Sequence, residues 1–432
     1  MSSKNPWELS ELGKEAVNAS RPFSFKNRES VIFINTGDVL KGKFLHKNRS
    51  KTDLLPGQAK KSLKDGDILL SEIRPANGRF AYVDFDANEF VVSTKFMVIE
   101  SCGRIIPRFL YHILTSQNSL NEFQRIAESR SGTFPQITFD AIAHFPLHIP
   151  NKKQQIEIVK LLDGIQKRLD LLQETNTTLE SIAQTIFKSW FIDFDPVRAK
   201  SEGRVPEGID AETAALFPDS FEDSELGLMP KGWSIITLNS AYAINPTRKL
   251  KKDELAPYLD MANVPTSGHH PDIVINRKMG SGSKFMNGDT LLARITPCLE
   301  NGKTAFVDFL LDNQVGWGST EFLVLRPRIP LPLYHGYLLS RHAPFREFAI
   351  QSMSGTSGRQ RIQNDVLGRY PVVIPTYKIN EVFNTIVTSI QEKITSNAEQ
   401  IHTLSGLRDT LLPRLISGQL QLPDKLIKED AK

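Results

Sequence analysis

Cysteine is almost missing from this 432-residue chain: Cys102 and Cys298 are the only two, and neither has a CxxC companion. That argues against a disulfide framework or a cysteine-based metal site and predicts isolated thiols in a reducing cytoplasm. No apolar run approaches the length of a bilayer span, so no membrane partner is expected. The start, MSSKNPWELS, lacks the basic flank and apolar core of a secretory signal. Catalytic signatures are missing too: there is no GxxxxGK[ST], HExxH, GxSxG, NPPY or DPPY, and Asp195-Pro196-Val197 does not supply the last. Gly280-Ser281-Gly282 follows no convincing strand and is not read as a phosphate loop. His269-His270, beside Asp272, reads as a surface turn rather than a metal site. Asp84, Asp86 and Glu89, like Asp308 and Asp312, read as solvated turn carboxylates, because no lysine stands at a nuclease spacing.

What is present begins with size and charge. A chain this long predicts two to three soluble domains. A net charge of +4 and a pI near 8.8 permit a nucleic-acid partner. Acidic residues gather in 202–225, so the remainder is more basic than the average.

Lys152–Trp190 carries apolar residues mostly three and four apart, the spacing of one helix face. Such a helix would be roughly 55–60 Å long and would need a partner for its stripe. Thr376–Arg414 matches it at a constant offset: Ile158 falls on Phe383, Leu161 on Ile386, Leu162 on Val387, Ile165 on Ile390, Leu169 on Ile394, Leu179 on Leu404 and Ile186 on Leu411. Gln166 likewise falls on Gln391.

The correspondence continues upstream. In 1–150 a strand candidate from Ser30–Phe33 runs into a turn within Ile34–Val39, and Ile68–Leu70, Phe80–Phe85 and a single buried strand Glu89–Ile99 follow, then helices over Pro107–Ser116 and Asn118–Arg130, the loop SGTFPQ at 131–136 and Phe145–Ile149. Residues 231–375 repeat the order through Tyr258–Val264, Asn287–Leu292, Asn301-Gly302-Lys303, Ser319–Phe322, Ser354-Gly355-Thr356 and Pro371–Pro375. The expected fold is α/β: two globules, each followed by a long helix, the helices pairing as an antiparallel coiled coil in an internal pseudo-two-fold repeat. The divisions are 1–150 and 231–375 for the globules, 151–194 and 376–418 for the helices, a largely irregular crossover at 195–230, and a charged tail at 419–432.

Hydrogen-bonding and basic residues recur at equivalent loops. The first globule offers Arg74, Asn77, Arg79, Lys95, Arg125, Arg130, Thr133 and Gln136. The second offers Arg294, Asn301, Lys303, Arg346, Ser357, Arg359, Gln360 and Arg361. Such side chains neutralise phosphates and read base edges, so the two sets form a candidate duplex-DNA surface with separated half-sites.

The stretches FKSWFIDFDPV (187–197), LFPDSFEDSELGLMPKGW (216–233) and LLPRLISGQL (411–420) closely resemble the specificity subunit of type I restriction-modification systems, over essentially the whole chain. The start of the first globule, Pro6-Trp7, lacks the MPKGW form of 229–233. The resemblance implies two target-recognition domains and a bipartite site whose gap is set by the helices. It also implies no catalytic centre here, with adenine-N6 methylation by two modification subunits and cleavage by two restriction subunits. S-adenosylmethionine, ATP and Mg²⁺ would be bound by those partners and no cofactor by this chain. Phe191, Phe194, Asp195 and Pro196 look like the family's crossover framework or a partner contact, and Leu412, Pro413, Leu415 and Gly418 like its closing counterpart. The alternatives are a scaffold that reads no DNA and a divergent metal-dependent nuclease.

Overall fold

A computed structural model describes residues 7–130, 132–225, 227–271, 273–356 and 358–422. Ser357 and Asp272, singled out above, lie outside these, as do Leu226 of the stretch 216–233, Pro6 and most of the tail. The chain divides into two compact units: the residues up to Leu169 with those from Thr403 onward, and Asp170–His402.

In the first unit, Ser30–Ile34 lies between Arg49–Lys51 and Phe90–Ser93, with Ala59–Ser62 beyond; the pair Ser30–Ile34 and Phe90–Ser93 is parallel and the others antiparallel. A second, antiparallel sheet orders Ala16–Asn18, Phe96–Ser101, Ile68–Ser71 and Phe80–Tyr82. Glu8–Glu11 pairs with Pro146–Ile149. Glu89–Ile99 is therefore two strands, not one. The chain turns at Thr94-Lys95, where Ser93 Oγ accepts from Lys95 N, and passes from one sheet to the other. Its apolar content is continuous because both halves are buried.

The second unit has the same strand order. Leu255–Leu259 lies between Ile275–Lys278 and Gly316–Gly318, parallel only to the latter, with Ser283–Phe285 outside. Tyr242–Ile244, Phe322–Pro327, Thr290–Ala293 and Thr304–Phe306 form the second sheet. Gly280 and Gly282 lie against the Trp317 ring, and a Cβ on Gly282 would collide with the Gly318 carbonyl. The glycines thus allow backbone to close over an indole.

The crossover is more ordered than expected. It holds helices Asp195–Ser201 and Ala211–Leu216 and the hairpin Phe221–Ser224/Gly227–Pro230. Asp210 caps the second helix by accepting from Thr213 N. Phe217 packs against Trp190 and Trp233.

The long helices run over Lys152–Phe191 and Tyr377–Ile416, each 40 residues. In the first unit Ile158 and Leu162 are buried with Leu415, with Leu411 and Leu412 packed alongside, and Arg408 donates to Gln166 Oε1. In the second unit Phe187, Trp190 and Phe191 enter a core with Phe383 and Val387, against which Ile186, Ile386 and Ile390 pack. Asn397 Nδ2 donates to Asn176 Oδ1 at 2.7 Å. The buried positions Ile158, Leu162, Ile165, Leu169 and Leu172 alternate by four and three, the interval of an a/d seam, and Asn176 continues it. Leu161 falls one step off that interval and is 37% exposed, so it flanks the apolar stripe.

Candidate nucleic-acid interface

Each unit contains a junction where the end of an inner strand meets a loop. In the first, the chain leaves Ile68–Ser71 through Glu72-Ile73-Arg74. Ile137 N donates to Glu72 O (2.9 Å), Arg74 N to Pro135 O (3.1 Å) and Glu72 N to Lys95 O (2.9 Å), while Ile73 bridges Gln136. Arg74 has a left-handed φ of 43°, which starts the short turn Pro75–Asn77. Ala76 N donates to Gln124 Oε1 of the helix Gln117–Arg130. The junction therefore gathers Arg74, Asn77 and Thr133, all exposed, with half-buried Lys95 and Gln136. Exposed Arg130 donates to Thr138 Oγ. Phe134 is half exposed beside them and was missed, because an aromatic in SGTFPQ carries no hydrogen-bonding signature.

The second unit builds the same junction from other residues. Ile362 N donates to Arg294 O (2.9 Å), Thr296 N to Gln360 O (3.1 Å) and Arg294 N to Glu321 O (2.9 Å), while Ile295 bridges Arg361. Asn301 and Arg359 are exposed and Gln360 half-buried. Arg361 holds Glu321 through both carboxylate oxygens, Nε at 3.0 and 2.9 Å and Nη2 at 2.7 Å. That guanidinium, with Arg294 nearby, keeps the Glu321 carboxyl below its usual range. Arg361 is thus prepositioned rather than freely solvated.

Other predicted residues turn inward. Arg79 donates to Gly37 O and Val39 O, both at 3.0 Å, and Lys303 to Met261 O at 2.6 Å. These cations hold the equivalent turns Thr36–Asp38 and Met261–Asn263. Arg346 donates to Glu300 O, whereas Arg125 stays exposed and pairs with Glu122 on its own helix.

Two surface readings need correction. His269 is 1% exposed and Asp308 has a buried side chain, the two joined at 2.9 Å. Local polarity in GHHPD hid long-range burial against Tyr334 and Phe306. Asp84, Asp86, Glu89 and Asp312 are exposed, as expected. Among the described residues no three His, Cys, Asp or Glu side chains group as a metal site, and no helix is long and apolar enough to cross a membrane. The aromatic end of the first helix is also internal: Phe191 packs tilted against Phe383 and Trp233 in the chain's own core and stacks on Phe187. Phe194 is half-buried against Phe221 and Trp233, Pro196 is buried and Asp195 exposed. Leu415 is fully buried, Leu412 and Pro413 are half-buried, and Gly418 takes a positive φ of 73° just beyond the second helix.

The family model for the type I restriction modification DNA specificity domain matches residues 4–181. The type I restriction enzyme HindI specificity subunit of Haemophilus influenzae is 33% identical over 460 residues, covering 96% of this chain and 99% of the relative. The chain belongs to the type I specificity subunits. The MjaIX specificity subunit of Methanocaldococcus jannaschii is 22% identical, covering 96% of this chain and 93% of its own. The fold is also that of the type I restriction-modification S subunit from M. genitalium, with a TM-score of 0.56 at 15% identity, covering 96% of this chain and 98% of the other. A specificity subunit is the non-catalytic, DNA-recognising component, and it acts with modification and restriction subunits on DNA.

Proposed function

We propose that this specificity subunit reads a bipartite duplex-DNA target, one half through each junction, and directs adenine-N6 methylation and restriction by two modification and two restriction subunits in the cytoplasm. Residues 1–150 and 231–375 act as the target-recognition domains, 195–230 as the crossover and 419–432 as a tail. The helices 151–194 and 376–418 act as an antiparallel coiled-coil spacer in a pseudo-two-fold repeat. As the number rises from Gln166 to Asn176 on one helix, that of the partner falls from Arg408 to Asn397 on the other, which supports antiparallel pairing.

One observation carries the reading. The two junctions share their backbone bonds, yet Glu72 and Lys95 in one stand where Arg294 and Glu321 stand in the other. A conserved frame with exchanged charge is what two different half-sites require, since base edges differ in donor and acceptor order. Arg74, Asn77, Lys95, Arg130, Thr133 and Gln136 face the first half; Arg294, Asn301, Arg359, Gln360 and Arg361 the second. S-adenosylmethionine, ATP and Mg²⁺ belong to the partners. Purified with its modification subunit, the protein should protect a split site from nuclease digestion. Protection that ignores the sequence of either half contradicts the proposal.

A further inference from the structure

Each recognition domain is fastened to a long helix by a polar clamp beside the apolar packing. In the first unit Arg108 Nε donates to both oxygens of Asp163 on the helix at 3.0 Å, and His112 Nε2 reaches Asp163 Oδ1 at 2.8 Å. Arg108 and His112 lie one turn apart on Pro107–Leu114, so two donors from one rigid helix meet one carboxylate. In the second unit the direction is reversed. Asp308 belongs to the domain, and its Oδ2 accepts from Gln391 Nε2 at 3.1 Å and Thr395 Oγ at 2.6 Å on the long helix, and from His269 Nε2 at 2.9 Å. His269 is itself held by Tyr334 Oη at 2.9 Å, and Arg341 donates to the Gly268 and Thr266 carbonyls just before it.

We propose that these two clamps are positioning elements that set the angle of each recognition domain on its helix, and hence the gap length the complex accepts; this rests on the bipartite reading above. The required precision follows from size. A rocking of about 6–7° over a lever of about 30 Å, one small-domain diameter, moves the far edge by about 3.4 Å, one nucleotide rise. Apolar contacts are non-directional and tolerate such rocking, whereas a carboxylate held by fixed donors does not. Burial also penalises any opening of the second clamp. Among the described residues Asp308 Oδ1 has no hydrogen-bond partner, so the carboxylate depends on what reaches Oδ2.

The test uses the subunit with its modification partner and duplexes carrying both half-sites at the natural gap or one base pair longer or shorter. The double change Gln391→Leu with Thr395→Val, and separately Arg108→Gln, should weaken the preference for the natural gap over the longer and shorter ones at least tenfold while each half-site sequence is kept. Thr395→Ser retains the hydroxyl and should retain gap fidelity. An unchanged gap preference in correctly folded variants, checked by circular dichroism, overturns the proposal. So does loss of half-site specificity, which would place these residues in base reading or in general stability. If the unaltered complex itself has no preferred gap, the bipartite reading fails first.

Discussion

The two units share strand order and junction bonding but handle charge differently. The first solves its buried charges with ion pairs: Glu15 with Arg104, and Asp67 with Arg21. The second also pairs Asp289 with Arg248 and Arg326, and where the first buries His112 on Asp163 it sinks imidazoles deeper, His269 on Asp308 and His335 against Tyr242. At the surface Lys95 becomes Glu321, and Gln136 becomes Arg361 at the bridging position. The apolar frame is therefore what repetition preserves, and polar chemistry is where each copy diverged.

The largest way to separate the units is through the core. Phe191→Ala removes an aromatic at the centre of the second unit's core and should cost about 3–5 kcal/mol there. Calorimetry should show that unit's transition falling while the first unit's holds. Acid should separate them next. Burial pushes His335 down to about 3 from 6.5, so the unfolded state binds a proton that the folded state refuses. Stability of the second unit should decline as pH falls below 6.5 and keep declining to about 3. In the first unit the Arg104 bond holds Glu15 below its ordinary 4.5, so that contribution persists until pH falls below 4.5. Melting at about pH 7 and about pH 5 should therefore move mainly the second transition. A smaller effect, about 1–2 kcal/mol each, is expected for Arg79→Met and Lys303→Met, whose charges bond backbone carbonyls. Neither should alter the salt dependence of DNA binding. Arg359→Gln should do the opposite, lowering the slope of log K against log salt by about 1 with little change in melting.

Periodicity made the long helices legible, because a seam of three- and four-residue steps survives in composition alone, and the shared offset exposed the repeat. It could not distinguish Leu161 from Leu162, since one apolar residue beside the seam looks like another. The break at Thr94-Lys95 was hidden because both flanking strands are buried. Within the candidate interface, Arg74, Asn77 and Arg359 stand exposed where their loop positions suggested. Arg79 and Lys303 look equally basic in sequence, but the carbonyls they hold come from turns some forty residues away. His269 and Asp308 were misread for the same reason: what buries them is distant in the chain.

The central claim, that each junction reads its own half of the target, is tested most directly by methylation sequencing of two paired variants in the assembled methyltransferase. Arg74→Ala with Thr133→Ala should relax the first half of the motif and leave the second intact, and Arg359→Ala with Gln360→Ala should do the reverse. Relaxation of both halves by either pair, or of neither half by both pairs, would contradict the account.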